Sequence, residues 1–321
     1  MELLVSILIE LGYILIFPGF LFCMIAGLLI AGIDRKLIAR MQKRVGPPIL
    51  QPVYDFFKLC GKETIIPAAA NKTAFLLCPI IGLAALVVLQ LFIPIHGFEV
   101  FTAHGDVIVI LYLLLIPAIA EIAGASASGS PYAGIGLSRE MVTVISCELP
   151  LVLIILAVGR AISPTGDVTF SLSAINLFQT LNGSLILKPA LIPAAIAFLM
   201  VIPGEIGAHP FDAAEAETEI CEGMLAEYSG APLAVYKLTH AIKMYTMASI
   251  FVALFLGGIG TGNLALNIII NFALCLAVII VSSTVLNAIT ARLKINQTFK
   301  YYWTAVSGLA FISLVLVWLG L

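Results

Sequence analysis

Eight apolar runs, each bounded by Gly, Pro or charged positions, organise this 321-residue chain. Their length, about 20 residues, is what an α-helix needs to cross a hydrocarbon layer roughly 30 Å thick. The runs predict membrane helices near 11–32, 74–95, 107–125, 141–159, 186–203, 234–257, 265–289 and 303–321. A continuous helix is least expected in the fifth, where Lys188 and Pro189 interrupt the start and Pro193 sits inside. Residues 49–62 place Ile49, Val53, Phe56, Phe57 and Cys60 on one side of a helix too short to span, which suits an amphipathic helix at the membrane interface. Residues 168–183 predict a second. No internal repeat or linker divides the chain. The expected fold is therefore all-α, a single integral membrane domain over residues 1–321.

Composition agrees. The chain is 61% hydrophobic and 11% charged, with a mean hydropathy of +1.14, whereas soluble domains carry about a quarter charged residues. Met1 and Glu2 lack a basic leader region, so the first apolar stretch is expected to stay as a membrane helix. Between the first two runs lie Arg35, Lys36, Arg40, Lys43, Arg44, Lys58, Lys62 and Lys72, half of the 16 basic residues. Arg139 precedes the fourth run, and Arg292, Lys294 and Lys300 precede the eighth. The positive-inside rule then makes 33–73, 126–140, 204–233 and 290–302 cytoplasmic loops and sends both termini outward. The six cysteines stand singly, with no paired or His-linked spacing, so they predict buried thiols and no metal or iron–sulfur site in this chain.

Carboxylates inside apolar runs are costly unless paired, hydrated or protonated. Glu121 and Glu148 fall in such positions. They are either packing salt bridges or protonatable relay groups. Glu10 lies near an outer edge and reads as structural. The segment "GEIGAHPFDAAEAETEICEGMLAEYSG" (204–230) holds seven of the 18 acidic residues and no Lys or Arg. If 212–226 is helical, Asp212, Glu215, Glu219 and Glu222 share one face. Such a face repels itself, so protons or an opposing basic surface must relieve it, and the basic first loop is the expected partner. The apolar neighbours Phe211, Ile220, Met224, Leu225 and Tyr228 favour a packed segment over a merely solvated one. Lys237, His240 and Lys243 open the sixth run. A lysine there can snorkel to the interface, or the group can join the charged chain with His240 as a relay.

Four ordered stretches carry a resemblance over nearly the whole chain. "DRKLIARMQKRVGPPILQPVYDFFKLCGKETIIP" (34–67), "GSPYAGIGLSREMVTVISCELP" (129–150), the acidic segment and "ARLKINQTFKYYW" (291–303) resemble landmarks of the membrane-anchor subunit shared by respiratory complex I and energy-converting membrane-bound hydrogenases. The quinone enzymes of that family read E-T-N-R-x-P-F-D where this chain has Glu205 to Asp212, so Ala208 stands in place of an arginine. "RVGPP", and "EYSG" followed by Ala231 and Pro232, also look more like the hydrogenase and formate hydrogenlyase branch.

The resemblance implies an anchor and coupling subunit, without a redox centre of its own, of a ferredoxin-linked, ion-translocating complex. Iron–sulfur clusters and a nickel–iron centre would belong to partners. Those partners would be hydrogenase-like large and small peripheral subunits, a ferredoxin-type iron–sulfur subunit and antiporter-like membrane subunits moving H⁺ or Na⁺, with the lipid bilayer as solvent and no nucleic acid. The setting implied is the cell membrane. Glu121, Glu140, Glu148, Glu205, Asp212, Glu215 and Glu219 are the expected proton-relay residues. Arg35, Arg40, Arg44, Arg139, Lys237 and His240 are the expected docking or charge partners. A related sulfur reductase and a quinone-reducing enzyme are alternative settings. An autonomous secondary transporter fits less well, because such proteins commonly show repeated halves with a substrate site at the midplane.

Overall fold

The computed structural model describes residues 10–95, 98, 106–163, 168–261 and 263–320. Met1, Glu2 and Leu321, which entered the expectations above, lie outside them. Eight helices among the described residues are long and apolar enough to cross a membrane. They are α1 (Phe20–Met41, within a span that begins at Glu10), α3 (Lys72–Phe92), α4 (Val107–Ser128), α5 (Pro131–Ile162), α7 (Ile192–Ile206), α8 (Gly230–Phe255), α9 (Leu264–Ile289) and α10 (Ile295–Trp318). Two short helices, α2 (Gln51–Cys60) and α6 (Leu172–Asn182), complete the set near the expected amphipathic stretches. Val53 and Phe56 of α2 pack on the main core while Phe57 is 62% exposed, so the short helix turns one side inward as its pattern requires.

Local chemistry explains the departures from straight helix. The chain leaves helical geometry at residues 16–19, around Pro18, which has no N–H to donate and crowds the preceding turn. Before α7, Leu185–Leu187 and Pro189–Leu191 form two 3-10 turns, and the α-helix begins only at Ile192, as the prolines suggested. Both α9 and α10 contain a π-turn, at Ile280–Thr284 and Tyr301–Val306. Such wide turns are rare and recur at functional positions.

Two boundaries differ from expectation. Residues 126–140, expected as a loop, are mostly helix, because α4 runs to Ser128 and α5 starts at Pro131. Pro131 suits a first helical turn, since its missing N–H has no partner there anyway. With 32 residues, α5 is about 48 Å long at 1.5 Å per residue and overruns the hydrocarbon layer. Likewise α1 continues to Met41, so Arg35 and Arg40 project from a helix rather than a loop.

Helix α8 is the centre of the bundle. Of its most apolar 18-residue window 94% is buried, against 28% for α9 and for α10. Phe198 of α7 packs on Phe251 and Phe255 of α8 with ring centroids 5.6 and 6.2 Å apart. On the other side α1 comes so close that a Cβ on Gly27 would lie 2.7 Å from the Ala241 carbonyl oxygen. Near the acidic end, Tyr228 stacks on Phe75 at 4.0 Å and meets Tyr236 edge-on at 4.9 Å. The two phenols point at Gly124 of α4, where a Cβ would collide with both Tyr236 Oη and Tyr228 Oη.

Gly124→Ala is therefore expected to destabilise the bundle by about 1–3 kcal/mol through overpacking. Gly134→Ala, which meets open space, is the matched control. Thermal unfolding of the purified complex should show a lowered midpoint for the first and none for the second. Equal midpoints would remove the steric reading.

Candidate functional site

The acidic segment does not form the helix over 212–226 that its spacing suggested. One helical turn, Glu217–Ile220, is followed by Cys221, Glu222 and Gly223, all at positive φ, and a 3-10 turn at Gly223–Leu225. The physical reason lies in the partners. Asp212 is drawn to Arg292, with Arg292 Nη2 donating to Asp212 Oδ2 at 2.7 Å, and His209 Nε2 lies 3.4 Å from the same oxygen. Glu219 is drawn to Arg139 of α5, whose Nη1 donates to Glu219 Oε2 at 2.7 Å and to the Ala213 carbonyl at 3.1 Å. Carboxylates pulled toward cations on different elements do not line one helix face. Glu219 is exposed, and its hydrogen bond with Arg139 followed by that guanidinium's charge lowers its pKa.

The expected partnership with the basic first loop is not formed among the described residues. Arg35 pairs instead with Asp55 of α2 at 3.4 Å, and Arg44 hydrogen-bonds Gln42. Arg40 is exposed and forms no ion pair among the described residues. The thiols also divide. Cys23, Cys78, Cys147 and Cys275 are buried as expected, whereas Cys60 and Cys221 are exposed. Among the described residues no three His, Cys, Asp or Glu side chains converge as a metal site requires.

Inside the bundle the site is organised around Lys243 of α8. Its ammonium lies 3.5 Å from Glu205 Oε2 at the end of α7, and the two side chains are only 9% and 4% exposed. Glu121 of α4 and Glu140 of α5 add their charges to the field at this lysine. A cation surrounded by three carboxylates cannot balance them all as ions, so the cluster must share protons.

The cluster has two openings. On one side a cavity of about 490 Å³ lies between α1, α2 and α8, with Glu121, Glu215, Tyr236 and His240 in its wall. Arg35, Asp55, Lys58 and Lys62 bring charge to the same cavity. Glu215 and Lys237 also line a second, outer cavity with His209, Asp212, Glu222 and Arg292. Glu215 thus stands between the two. Its pKa is raised to about 8, first by burial and then by the charges of Glu121, Asp212, Glu140 and Glu222. On the other side, an apolar cleft of about 320 Å³ between α4 and α5 has Glu148 and Glu205 as its two acidic lining residues. The carboxylates therefore run from Glu215 through Glu121 to Lys243, Glu140 and Glu205, and on to Glu148.

Every residue expected in the relay or as a charge partner has a defined place, but they separate into groups. Glu121, Glu140, Glu148, Glu205 and Glu215 gather around Lys243 and its two openings. Asp212 and Glu219 face outward onto arginines, with Arg139 as one of them. Lys237 is exposed on the cavity rim and His240 is half-buried in the wall. Arg35, Arg40 and Arg44 stay on the exposed surface of the first basic stretch. Three important residues are undervalued by sequence. Lys243 is one of three basic residues at the head of a span, and only burial singles it out. Arg292 sits in a short basic loop with nothing to indicate Asp212 as its partner. Asp34, 7% exposed in α1, accepts a hydrogen bond from Thr284 Oγ1 at 2.5 Å. It is hidden in sequence by the adjacent Arg35 and Lys36.

The family model described as NADH dehydrogenase matches residues 13–318. Hydrogenase-4 component C of Escherichia coli is 35% identical over 229 residues, covering 71% of this chain and 70% of that protein. Formate hydrogenlyase subunit 4 of the same organism is 30% identical over 89% of this chain and 92% of its own length. A membrane subunit of the NADH-quinone oxidoreductase of Thermomicrobium roseum is 33% identical over 70% of this chain and 72% of its own. A chain in the solved structure of the membrane-bound sulfane sulfur reductase, an archaeal respiratory membrane complex, superposes with a TM-score of 0.85 at 31% identity, covering 92% of this chain and 96% of that one. The eight-helix frame and its intramembrane carboxylates thus have an explanation in descent: this chain belongs to the NADH dehydrogenase family, as a multi-pass membrane subunit of the multisubunit respiratory complexes of the complex I, hydrogenase and sulfane sulfur reductase type.

Proposed function

We propose that this subunit anchors the peripheral redox arm of a ferredoxin-linked, hydrogen-evolving complex in the cell membrane and couples its chemistry to H⁺ or Na⁺ movement by antiporter-like neighbours. The observation that carries this reading is the run of carboxylates around Lys243, open at Glu215 to one cavity and at Glu148 to a cleft on the bundle's flank. Glu215, protonated near neutral pH, receives a proton from the cavity beside the redox arm. Movement of that proton to Glu121 changes the balance at Lys243, which releases or retains its hold on Glu205. Glu148 then passes the change to a neighbouring membrane subunit. The iron–sulfur clusters and nickel–iron centre belong to partner subunits. The positive-inside bias supports a cytoplasmic acidic segment, with both termini outside.

Ala208, in the position of the quinone enzymes' arginine, and the similarity to hydrogenase-4 component C support the hydrogenase reading. A sulfur reductase is the second reading, favoured by the similarity to the sulfane sulfur reductase structure. Copurification separates them: a catalytic subunit with intact nickel ligands supports the first, and one lacking them the second.

Three outcomes follow from this reading. Glu148→Gln and Glu215→Gln keep side-chain size but cannot carry a proton, so both should assemble, retain electron transfer to an artificial acceptor and lose most ion translocation. The ion gradient formed per hydrogen evolved in sealed vesicles is the readout, and an unchanged ratio in both variants returns these residues to structure. Second, a carboxyl infrared band should titrate away with a midpoint near 8 and be missing from Glu215→Gln. The sign is fixed by linkage: the folded segment holds a proton that an ordinary carboxyl releases near 4.5, so packing of this segment weakens as pH rises from there through about 8. Third, Arg40 and Arg44 are guanidinium groups on an exposed surface, suited to gripping partner carboxylates in two bonds. Their joint replacement by Ala should lower the yield of peripheral subunits on membranes, measured by copurification. Full retention with normal coupling would end the docking role.

A further inference from the structure

Helix α9 is mostly exposed to the surroundings, yet its buried stripe is not apolar. Asn267, Asn271 and Cys275 recur every fourth residue and are 3%, 8% and 0% exposed. Further along come the π-turn and the fully buried Ser283 and Thr284. Across from this stripe, α8 presents the buried Tyr245 and Ser249, again four residues apart, and α1 presents Cys23 and Asp34. Tyr245 feels both Cys23 and Cys275, so the three helices bring their polar positions to one seam. The seam ends at the Asp34–Thr284 hydrogen bond, 2.5 Å long. At the opposite end a cavity of about 20 Å³, lined in part by Asn267 and Asn271, has the volume of about one water, for which roughly 10–15 Å³ suffices.

Polar residues between membrane helices commonly act as glue. Glue must join one helix to another, however. Cys275 donates to Asn271 Oδ1 at 3.5 Å within α9 itself, and the hydroxyls of Ser282 and Ser283 have no hydrogen-bond partner among the described residues. Buried hydroxyls of this kind are satisfied by water where the site is polar and roomy enough. The π-turn beside them frees backbone carbonyl groups for the same purpose.

We propose that the buried faces of α1, α8 and α9 enclose a hydrated polar file that carries protons between Asp34 and the face opposite the acidic segment. This file is separate from the carboxylates around Lys243 and does not rest on their role. The charged group adjoining Asp34 on its own helix is Arg35, which turns to Asp55. Thr284 is the hydrogen-bonding group facing Asp34 from α9, with Cys23, Tyr245 and Cys275 as the titratable groups further along the seam.

Hydroxyl-radical footprinting of the intact complex reads water beside individual buried side chains. Tyr245 and Cys275 should be oxidised well above the level of the equally buried Phe255, and Asn271→Leu should lower both rates severalfold. A second measurement covers the case in which Asn271→Leu fails to assemble. An acid jump should produce a carboxyl infrared band that is absent in Asp34→Asn. The appearance of that band should be slowed severalfold in the milder variant Ser283→Ala. The proposal is overturned if Tyr245 and Cys275 are labelled no faster than Phe255. It is equally overturned if no band assignable to Asp34 appears at any pH where the complex is stable, or if its rate is the same in Ser283→Ala.

Discussion

Everything in this bundle has to accommodate one buried cation. An ammonium in a membrane interior costs several kcal/mol unless carboxylates and hydrogen bonds replace its water. Lys243 meets that requirement with Glu205 at 3.5 Å and the fields of Glu121 and Glu140. Those three carboxylates come from three different helices, so the lysine fixes how α4, α5 and α7 approach α8. The aromatic and glycine contacts then follow. Gly27 lets α1 close against α8, and Gly124 lets two tyrosines reach under α4. Breaking a buried pair by removing one partner typically costs about 3–5 kcal/mol, which makes this cluster a structural commitment as well as a chemical one.

The second constraint is that this commitment is unbalanced. One cation and several acids leave surplus negative charge, and the surplus is relieved outward through Glu215 and Asp212. At the segment's edge the arrangement changes character. Arg139 and Arg292 hold Glu219 and Asp212 in direct ion pairs, while Glu215, without such a pair among the described residues, keeps its proton to about 8. Neighbouring carboxylates in one short segment thus differ because their partners do.

Most of the architecture was legible in the sequence because membrane helices must satisfy their own backbones, which makes hydropathy a direct readout. All eight spans, the two short helices and the interruption before α7 could be read in this way. The acidic segment was not legible, because its spacing suits a helix and its true geometry is set by Arg139 and Arg292, both more than 70 residues away in sequence from the carboxylates they hold, Glu219 and Asp212. The site was half legible. Costly charges in apolar runs pointed to Glu121 and Glu148, whereas Lys243 looked like an ordinary lysine near a helix end. Asp34 gave no signal, since neighbouring positive charge made it look solvated.

The central helix also bears on how the protein is made. The most apolar window of α8 has a mean hydropathy of 1.4, about half the 2.8 of α9, although α8 is the most enclosed of the eight. A lysine at the centre of a membrane helix adds roughly 2.5–3.5 kcal/mol to the free energy of insertion. Entering lipid alone, α8 would carry that burden before any carboxylate was near. Glu121, Glu140 and Glu205 all precede Lys243 in the chain, so a ribosome delivers the counter-charges first. The order of the sequence is thus also an order of biogenesis, in which the earlier helices wait in the bilayer as the solvent that the later-arriving central helix requires.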